Sequence, residues 1–224
     1  PHYMKKISLL CCLFIFNPQI WAQLPLFPTP AKYSGQKGSF TIHSQTVFES
    51  QDQYSQQLAI SLEKELQSIR YPQKLEENII HLRLNPSANY VKDGYRLHIT
   101  PESATLEASS PSGLFYAKES ILQLARAGKG VIPACQIEDA PRYTWRGFML
   151  DESRHFFGKE KVKQYLDIMA SLRMNIFHWH LTDEQGWRIE IKQYPKLTTI
   201  GSIGNWHDSN ATAMFYTQED IKEI

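Results

Sequence analysis

The chain of 224 residues is long enough for one large domain or two modest ones, and 24 Lys and Arg against 23 Asp and Glu give a formal net charge of +1. This balance excludes electrostatic binding to nucleic acid or to an anionic membrane as a main activity, because no net charge is present to attract either. A hydrophobic content of 42% with 12% aromatic residues excludes a disordered or collagen-like chain.

The N-terminal segment has the plan of a secretory signal peptide. Two lysines follow Met4, an apolar run covers Ile7–Phe16, and the small residue Ala22 ends the segment. The run is shorter than the roughly 20 residues needed to span a bilayer. We therefore expect residues 1–22 to be a signal peptide with a short upstream extension, which predicts export to the periplasm or the exterior; a buried N-terminal strand is the alternative.

Cysteine usage adds little to the functional prediction. Of the 3 cysteines, two lie within the predicted signal peptide and leave Cys135 alone in the remaining chain. A lone cysteine excludes an internal disulfide there, and no activating motif surrounds it. We expect Cys135 to be a small buried hydrophobic residue.

Residues 23–142 predict a small α+β accessory domain built from an antiparallel sheet and two helices. Strands are predicted at Ser39–Phe48 and Ile79–Leu84, and a hairpin is predicted from the alternating residues of 95–99 and 106–108. The first helix follows from an apolar stripe at helical spacing: Tyr54, Leu58, Leu62, Leu66 and Ile69. The second helix follows Pro111 and ends at Gly128. No residue pattern in this region indicates catalysis.

Residues 143–224 have a different pattern, in which a strand at Gly147–Asp151, a helix at about Lys159–Leu172 and a strand at Asn175–His180 follow one another. This order is typical of a parallel βα series, and the polar residues gather after the C-terminal ends of both strands. In a (β/α)₈ or TIM barrel, which takes roughly 250 residues, that end is the catalytic face. The α/β fold predicted here is therefore the first two or so units of an incomplete barrel, with a further helix opening at Thr217.

Two groups of polar residues could carry chemistry in the second strand and the loop after it. His178 and His180 lie two apart on a strand and point to one face, so with Asp183 they could begin a metal site. A histidine pair that merely supports the site is the favoured interpretation, since no further ligand is visible, and we expect no metal. Asp183 and Glu184 could act as an acid and base pair in glycoside hydrolysis, or be solvated loop acids.

Arginine and tryptophan residues nearby fit sugar recognition but each has a simpler interpretation. Arg154, just beyond a strand, could bind hydroxyls or carboxylates through its planar guanidinium, or could only pair with Asp151. Trp179 and Trp187 could stack against sugar rings, although an aromatic residue in a strand is more often part of the core.

Taken in order, several segments closely resemble the β-N-acetylhexosaminidases of glycoside hydrolase family 20. In the barrel region these are Trp145–Phe157, Met174–Glu190 and Tyr194–Leu197, and in the preceding region Asp93–Leu97 and Gly113–Ala117 resemble the accessory domain of that family. The resemblance extends over nearly all of the chain from about residue 24, which is more specific than any single motif.

This resemblance implies an exo-acting, retaining hydrolase that removes terminal N-acetylglucosamine or N-acetylgalactosamine from oligosaccharides or glycoconjugates, without a cofactor. The family uses substrate-assisted catalysis, in which the acetamido oxygen of the sugar attacks the anomeric carbon. An Asp then orients the acetamido group and the following Glu protonates the leaving oxygen. In the family that pair follows a His-x-Gly-Gly stretch, which this sequence does not contain, so no catalytic acid is expected in the chain.

Two residues take roles from the resemblance. Arg154 matches the arginine that binds the ring hydroxyls of the terminal sugar. Asp183 matches an aspartate that supports a relay, pairing with a histidine that lies beyond the chain and contacts the acid Glu. The family often has a second Asp where this chain has Glu184. The remaining residues expected to line or support the site are His178, His180, Glu184 and Trp187.

Two other functions remain open from the sequence. A non-catalytic sugar-binding relative would keep Arg154 but lack the Asp-Glu pair downstream. A metal-dependent barrel hydrolase would use His178 and His180 and would lose activity with a chelator, whereas the hexosaminidase hypothesis predicts no effect of a chelator and inhibition by a thiazoline. The sequence does not indicate an oligomeric state.

Overall fold

The structure is a computed structural model that describes residues 24–71, 76–204, 208 and 211–224. The predicted signal peptide at 1–22 lies outside the described residues. Within these ranges, no helix combines the length and the apolar character that crossing a membrane requires.

The N-terminal unit is a six-stranded sheet with strand order β1-β6-β4-β5-β3-β2. Its strands are β1 (Lys32–Thr41), β2 (Thr46–Ser50), β3 (Asn78–Leu84), β4 (Tyr95–Ile99), β5 (Ser103–Ala108) and β6 (Val131–Asp139). Its helices are α1 (Gln53–Leu66), extended by a 3₁₀ turn at Gln67–Ile69, and α2 (Pro111–Ala127).

The sheet is mixed, so the predicted antiparallel sheet is wrong. Strand β3 runs parallel to both β2 and β5, while β4 pairs antiparallel with β5 and β6. The reason is α1, which carries the chain across the sheet between β2 and β3; a strand that follows such a crossover returns in the original direction. The predicted hairpin of β4 and β5 is present.

Two strand assignments also differ from the sequence prediction. The strand expected over Ser39–Phe48 is two strands, because a turn intervenes in which the Thr46 amide donates to the His43 carbonyl over 3.1 Å. Strand β6 was not predicted, although it lies between β1 and β4. Pro133 lacks an amide donor and argues against an interior strand, and here it faces Ser39 beside an irregularity in β1.

The core of this unit lies between one face of the sheet and the two helices. Strand β4 shows the pattern: Tyr95, Leu97 and Ile99 are buried, whereas Arg96 and His98 are exposed on the opposite face. Asp52 caps the N-terminus of α1 and Ser110 that of α2, and each cap side chain accepts from the backbone amide of the third residue of its helix. Cys135 is buried in this core, and burial raises the pKa of its thiol to about 11.

The C-terminal unit contains one parallel strand pair with its crossover helix. Its elements are β7 (Gly147–Asp151), α3 (Lys159–Ser171), β8 (Ile176–His180), the short pair β9 (Thr182–Asp183) and β10 (Gly186–Trp187), α4 (Lys196–Thr199) and α5 (Gln218–Glu223). Strands β7 and β8 pair in parallel through α3, as expected for the start of a βα barrel. Helix α5 follows Thr217, where the sequence predicts that a helix opens, and Thr217 forms a capping box with Asp220.

Polar contacts join the two units along α2 and α3. The Gln123 side chain donates to the Ser171 carbonyl over 2.7 Å, and Arg146 donates to the Tyr116 hydroxyl over 2.9 Å. Arg173, only 6% exposed, donates to the Ser120 hydroxyl over 2.7 Å. The first strand of the barrel region is therefore fixed against the accessory unit.

Candidate functional site

The two faces of the β7–β8 pair have different roles. Register places Leu150 beside Trp179 and Asp151 beside His180, so alternate residues fall on opposite faces. Leu150 and Trp179 pack in an apolar cluster that includes Val162 of α3. The other face carries polar groups at the C-terminal ends of both strands, which is where the sequence predicted the site.

Arg154 lies between two carboxylates at this end. Its Nη1 donates to Asp151 Oδ2 over 2.9 Å, and its Nη2 lies 2.9 Å from Asp183 Oδ2. The amide of Arg154 also donates to Asp151 Oδ1 over 3.1 Å, so Asp151 fixes both the backbone and the side chain. The structure thus brings together Arg154 and Asp183, which are 29 residues apart in the sequence, and the simpler interpretation of an Asp151 pair also holds.

Asp183 has three partners in the described structure. Its Oδ1 accepts from the Glu184 amide over 2.8 Å, while Oδ2 meets both Arg154 and His180 Nε2, the latter at 3.1 Å. The Glu184 amide, with further contributions from His180 and the Arg154 charge, lowers the pKa of the Asp183 carboxyl. Burial alone raises the pKa of Asp151, but its bonds to Arg154 outweigh that effect and lower it. Both carboxylates are therefore ionised at neutral pH.

The other residues expected to line or support the site lie at different positions around Arg154 and Asp183. His178 is exposed on the same face as His180, and the two ring centroids are 6.1 Å apart. Glu184 is exposed in the tight turn between β9 and β10. Trp187 donates from Nε1 to the Ile189 carbonyl over 2.6 Å, which holds its ring against its own segment. Within the described ranges, no group of three or more His, Cys, Asp or Glu side chains is arranged to bind a metal ion.

Behind the site lies a buried carboxylate, that of Glu152, which is not among the predicted site residues. Glu152 follows Asp151, is fully buried and accepts from the Tyr216 hydroxyl and from the Phe157 amide, each over 2.7 Å. Burial raises the pKa of Glu152 despite these bonds. No local sequence pattern indicates this role, because Tyr216 lies 64 residues away.

Arg188 is a second buried charged residue that is not among the predicted site residues. It is fully buried directly after β10, and within the described part of the chain its guanidinium donates only to backbone carbonyls, beginning with those of Glu152 and Ser153. These two carbonyls immediately precede Arg154. The candidate site therefore consists of an exposed polar cluster supported by a buried layer of charged residues.

Comparison with known proteins gives the same family over both units. Residues 23–140 match the family model described as glycosyl hydrolase family 20, domain 2, and residues 143–224 match the catalytic domain of the same family. The structure is similar to that of an exo β-N-acetylglucosaminidase from Vibrio harveyi in complex with N-acetylglucosamine, with a TM-score of 0.76 and 34% identity over 89% of this chain and 33% of that one.

Curated relatives of the chain are named β-hexosaminidases. A β-hexosaminidase of Porphyromonas gingivalis is 31% identical over 99% of this chain and 32% of its own length. A β-hexosaminidase of Vibrio furnissii is 35% identical over 91% of this chain and 35% of its own length. The chain thus spans about a third of the length of the relatives that it matches. On the matches of both units and on these relatives, the chain belongs to glycoside hydrolase family 20.

Proposed function

We propose that the protein containing this chain is an exo-acting, retaining β-N-acetylhexosaminidase that releases terminal N-acetylglucosamine or N-acetylgalactosamine from oligosaccharides or glycoconjugates. The observation that carries the proposal is the position of Arg154 between Asp151 and Asp183, at the C-terminal ends of two parallel strands. Because the chain spans about a third of its relatives, this activity is proposed for a longer protein.

The charge state of Arg154 suits a neutral sugar. Its guanidinium is already compensated by two ionised carboxylates, so no surplus positive charge remains to favour an acidic sugar. Its remaining N–H groups are directional donors that fit ring hydroxyls, and the flanking carboxylates are acceptors for the hydroxyl protons. Arg154 therefore binds and orients the terminal ring rather than taking part in proton transfer.

The proposed chemistry is substrate-assisted. The acetamido oxygen of the bound sugar attacks the anomeric carbon, the bond to the leaving oxygen breaks, and a protonated Glu supplies the proton to that oxygen. Water then opens the cyclic intermediate, so the configuration is retained. The Asp and Glu that perform these steps belong to a stretch that the 224 residues do not contain.

Asp183 is proposed to support the acid through a histidine from another part of the protein. A carboxylate offers about four acceptor positions, and three are occupied here by Glu184, His180 and Arg154. One position remains for such a histidine. A negative charge beside that histidine stabilises its protonated form and thereby influences the protonation of the acid Glu.

The direct test is turnover by the longer protein of an aryl β-N-acetylglucosaminide, with the anomeric configuration of the first product read by NMR. We expect release of the β-anomer, inhibition by a thiazoline that mimics the cyclic intermediate, and no effect of a chelator. Sugar binding without turnover would instead favour a non-catalytic relative. Turnover abolished by a chelator would favour a metal-dependent hydrolase that uses His178 and His180.

Export is a separate proposal that rests on the sequence of residues 1–22. The lysines, the apolar run and Ala22 have the order expected for a signal peptide. We expect the exported protein to begin near Gln23 when its N-terminus is sequenced, and retention of residues 1–22 on the mature protein would contradict cleavage.

A further inference from the structure

We propose that Arg188 is a positioning residue that holds the loop bearing Arg154 in register with Asp183. The inference rests on the proposed function, since it concerns how the sugar-binding arginine is placed. Arg188 is fully buried and cannot touch a sugar bound at the exposed cluster. It acts through the backbone on either side of that cluster.

The guanidinium of Arg188 reaches the chain immediately before Arg154. Its Nε donates to the Glu152 carbonyl over 3.2 Å and its Nη2 to the Ser153 carbonyl over 3.0 Å. Both carbonyls follow the end of β7, where the strand ladder no longer satisfies them. The backbone that leads into Arg154 is therefore tied to one buried side chain.

The same guanidinium joins two further segments. It donates over 2.8–3.2 Å to three other backbone carbonyls, those of Ser202, Gly204 and Met214. All five contacts are made to backbone carbonyls. Burial accordingly lowers the pKa of Arg188, although the Glu152 charge opposes this effect. Burying a charge costs free energy unless its polar groups form hydrogen bonds, and here the Arg188 guanidinium makes five of them.

The backbone of Arg188 connects these contacts to Asp183. Arg188 directly follows β10, and β10 pairs with β9, which contains Asp183. The Arg188 amide also donates to the Leu181 carbonyl over 2.9 Å, just before β9. One residue thus fixes the loop of Arg154 with its side chain and the turn of Asp183 with its backbone.

Gly186 leaves the space that this arrangement needs. A Cβ at Gly186 would lie 2.4 Å from Arg188 Cζ, closer than side-chain carbons come to any neighbour. The Gly186 carbonyl in addition accepts from the Ser153 hydroxyl over 2.8 Å. Gly186→Ala therefore displaces the guanidinium without changing its charge and provides a second, independent perturbation.

The test is a double-mutant cycle in the longer enzyme, with Arg188→Lys combined with Arg154→Ala. Lysine keeps the charge but lacks the fork that reaches five carbonyls. A displacement of about 1 Å can cost about 100-fold in rate, so we expect Arg188→Lys to lower kcat/KM by roughly that factor when Arg154 is present. In the Arg154→Ala background we expect a loss of less than about threefold, because the group being positioned is gone.

Arg173→Lys serves as the matched control. Arg173 is also buried, at 6% exposure, and donates to a backbone carbonyl, but at the junction of the two units. We expect its effect on kcat/KM to be the same factor with and without Arg154. Equal losses for Arg188→Lys in both backgrounds would overturn the proposal and reduce Arg188 to a general contributor to folding.

A second readout separates this inference from the proposed function. If the wild-type protein shows no hydrolysis, the proposed function fails, and amide hydrogen exchange then tests Arg188 alone. We expect Arg188→Lys and Gly186→Ala to speed exchange at residues 152–157, with no change at Tyr95–Ile99 of the accessory sheet. Unchanged exchange at residues 152–157 in both variants would overturn the proposal.

Discussion

Tyr216→Phe tests whether the buried carboxylate of Glu152 stabilises the strands that carry the site. The substitution removes only the hydroxyl that donates to Glu152 Oε1 over 2.7 Å. The ring stays between Phe156 and Trp179, whose ring centroids are each 4.8 Å from that of Tyr216. The apolar packing is therefore kept while one hydrogen bond to a buried carboxylate is lost.

The expected magnitude follows from the charge of the acceptor. A hydrogen bond to a charged group contributes about 1.5–3 kcal/mol, so local opening of β7 and β8 becomes roughly 10- to 150-fold more frequent. The effect diminishes at a pH below the raised pKa of Glu152, because the bond then joins two neutral groups worth about 1 kcal/mol.

Native-state hydrogen exchange of β7 and β8 amides in the longer protein measures this opening. Tyr165→Phe is the matched control, because Tyr165 belongs to the same apolar cluster and its hydroxyl has no hydrogen-bond partner in the described part of the chain. We expect no change in exchange for the control. Equal exchange in Tyr216→Phe and wild type at neutral pH would refute the role of Glu152.

Three other substitutions test separate parts of the account. The raised pKa of the Glu152 carboxyl makes the stability of the wild-type protein fall as the pH rises from the ordinary pKa of Glu to the raised one. Glu152→Gln removes this carboxyl, so thermal unfolding of the variant, measured as a function of pH, should not show this fall. Asp183→Asn removes a negative charge, so the protonated forms of neighbouring groups lose stabilisation. The alkaline limb of the pH profile of kcat/KM should therefore move to lower pH, and an unmoved limb would make Asp183 purely structural. Leu106→Ala empties a fully buried site in the accessory sheet, and urea unfolding should show a loss of about 2–5 kcal/mol, whereas a loss below 1 kcal/mol would contradict the core assignment.

The parts of the fold predictable from sequence are those with a regular apolar period. The apolar stripe of α1 and the alternating apolar residues of β4 indicate which side chains are buried, because each apolar side chain must face the core. Strand direction could not be predicted in this way. Whether β3 runs parallel or antiparallel to β5 depends on how the intervening segments cross the sheet, and no local pattern records this.

The candidate site likewise has features that could be predicted from sequence and features that could not. The position of Arg154 and Asp183 at one end of two parallel strands was predictable, since both follow strands of a βα series. Their direct ion pair and the support from Arg188 were not. A charged residue in a polar loop is normally solvated, and only the folded chain shows that Arg188 is enclosed by carbonyls from three separate segments.

The central claim is that Arg154 binds the terminal sugar, and the kcat/KM of Arg154→Ala in the longer protein tests it most directly. Arg126→Ala is the matched control, since Arg126 is similarly exposed, at 52% against 47%, and is paired with Glu65 on the accessory unit. We predict a loss of at least about 100-fold in kcat/KM for an aryl N-acetylglucosaminide with Arg154→Ala and no loss with Arg126→Ala. Wild-type kinetics for Arg154→Ala would contradict the account.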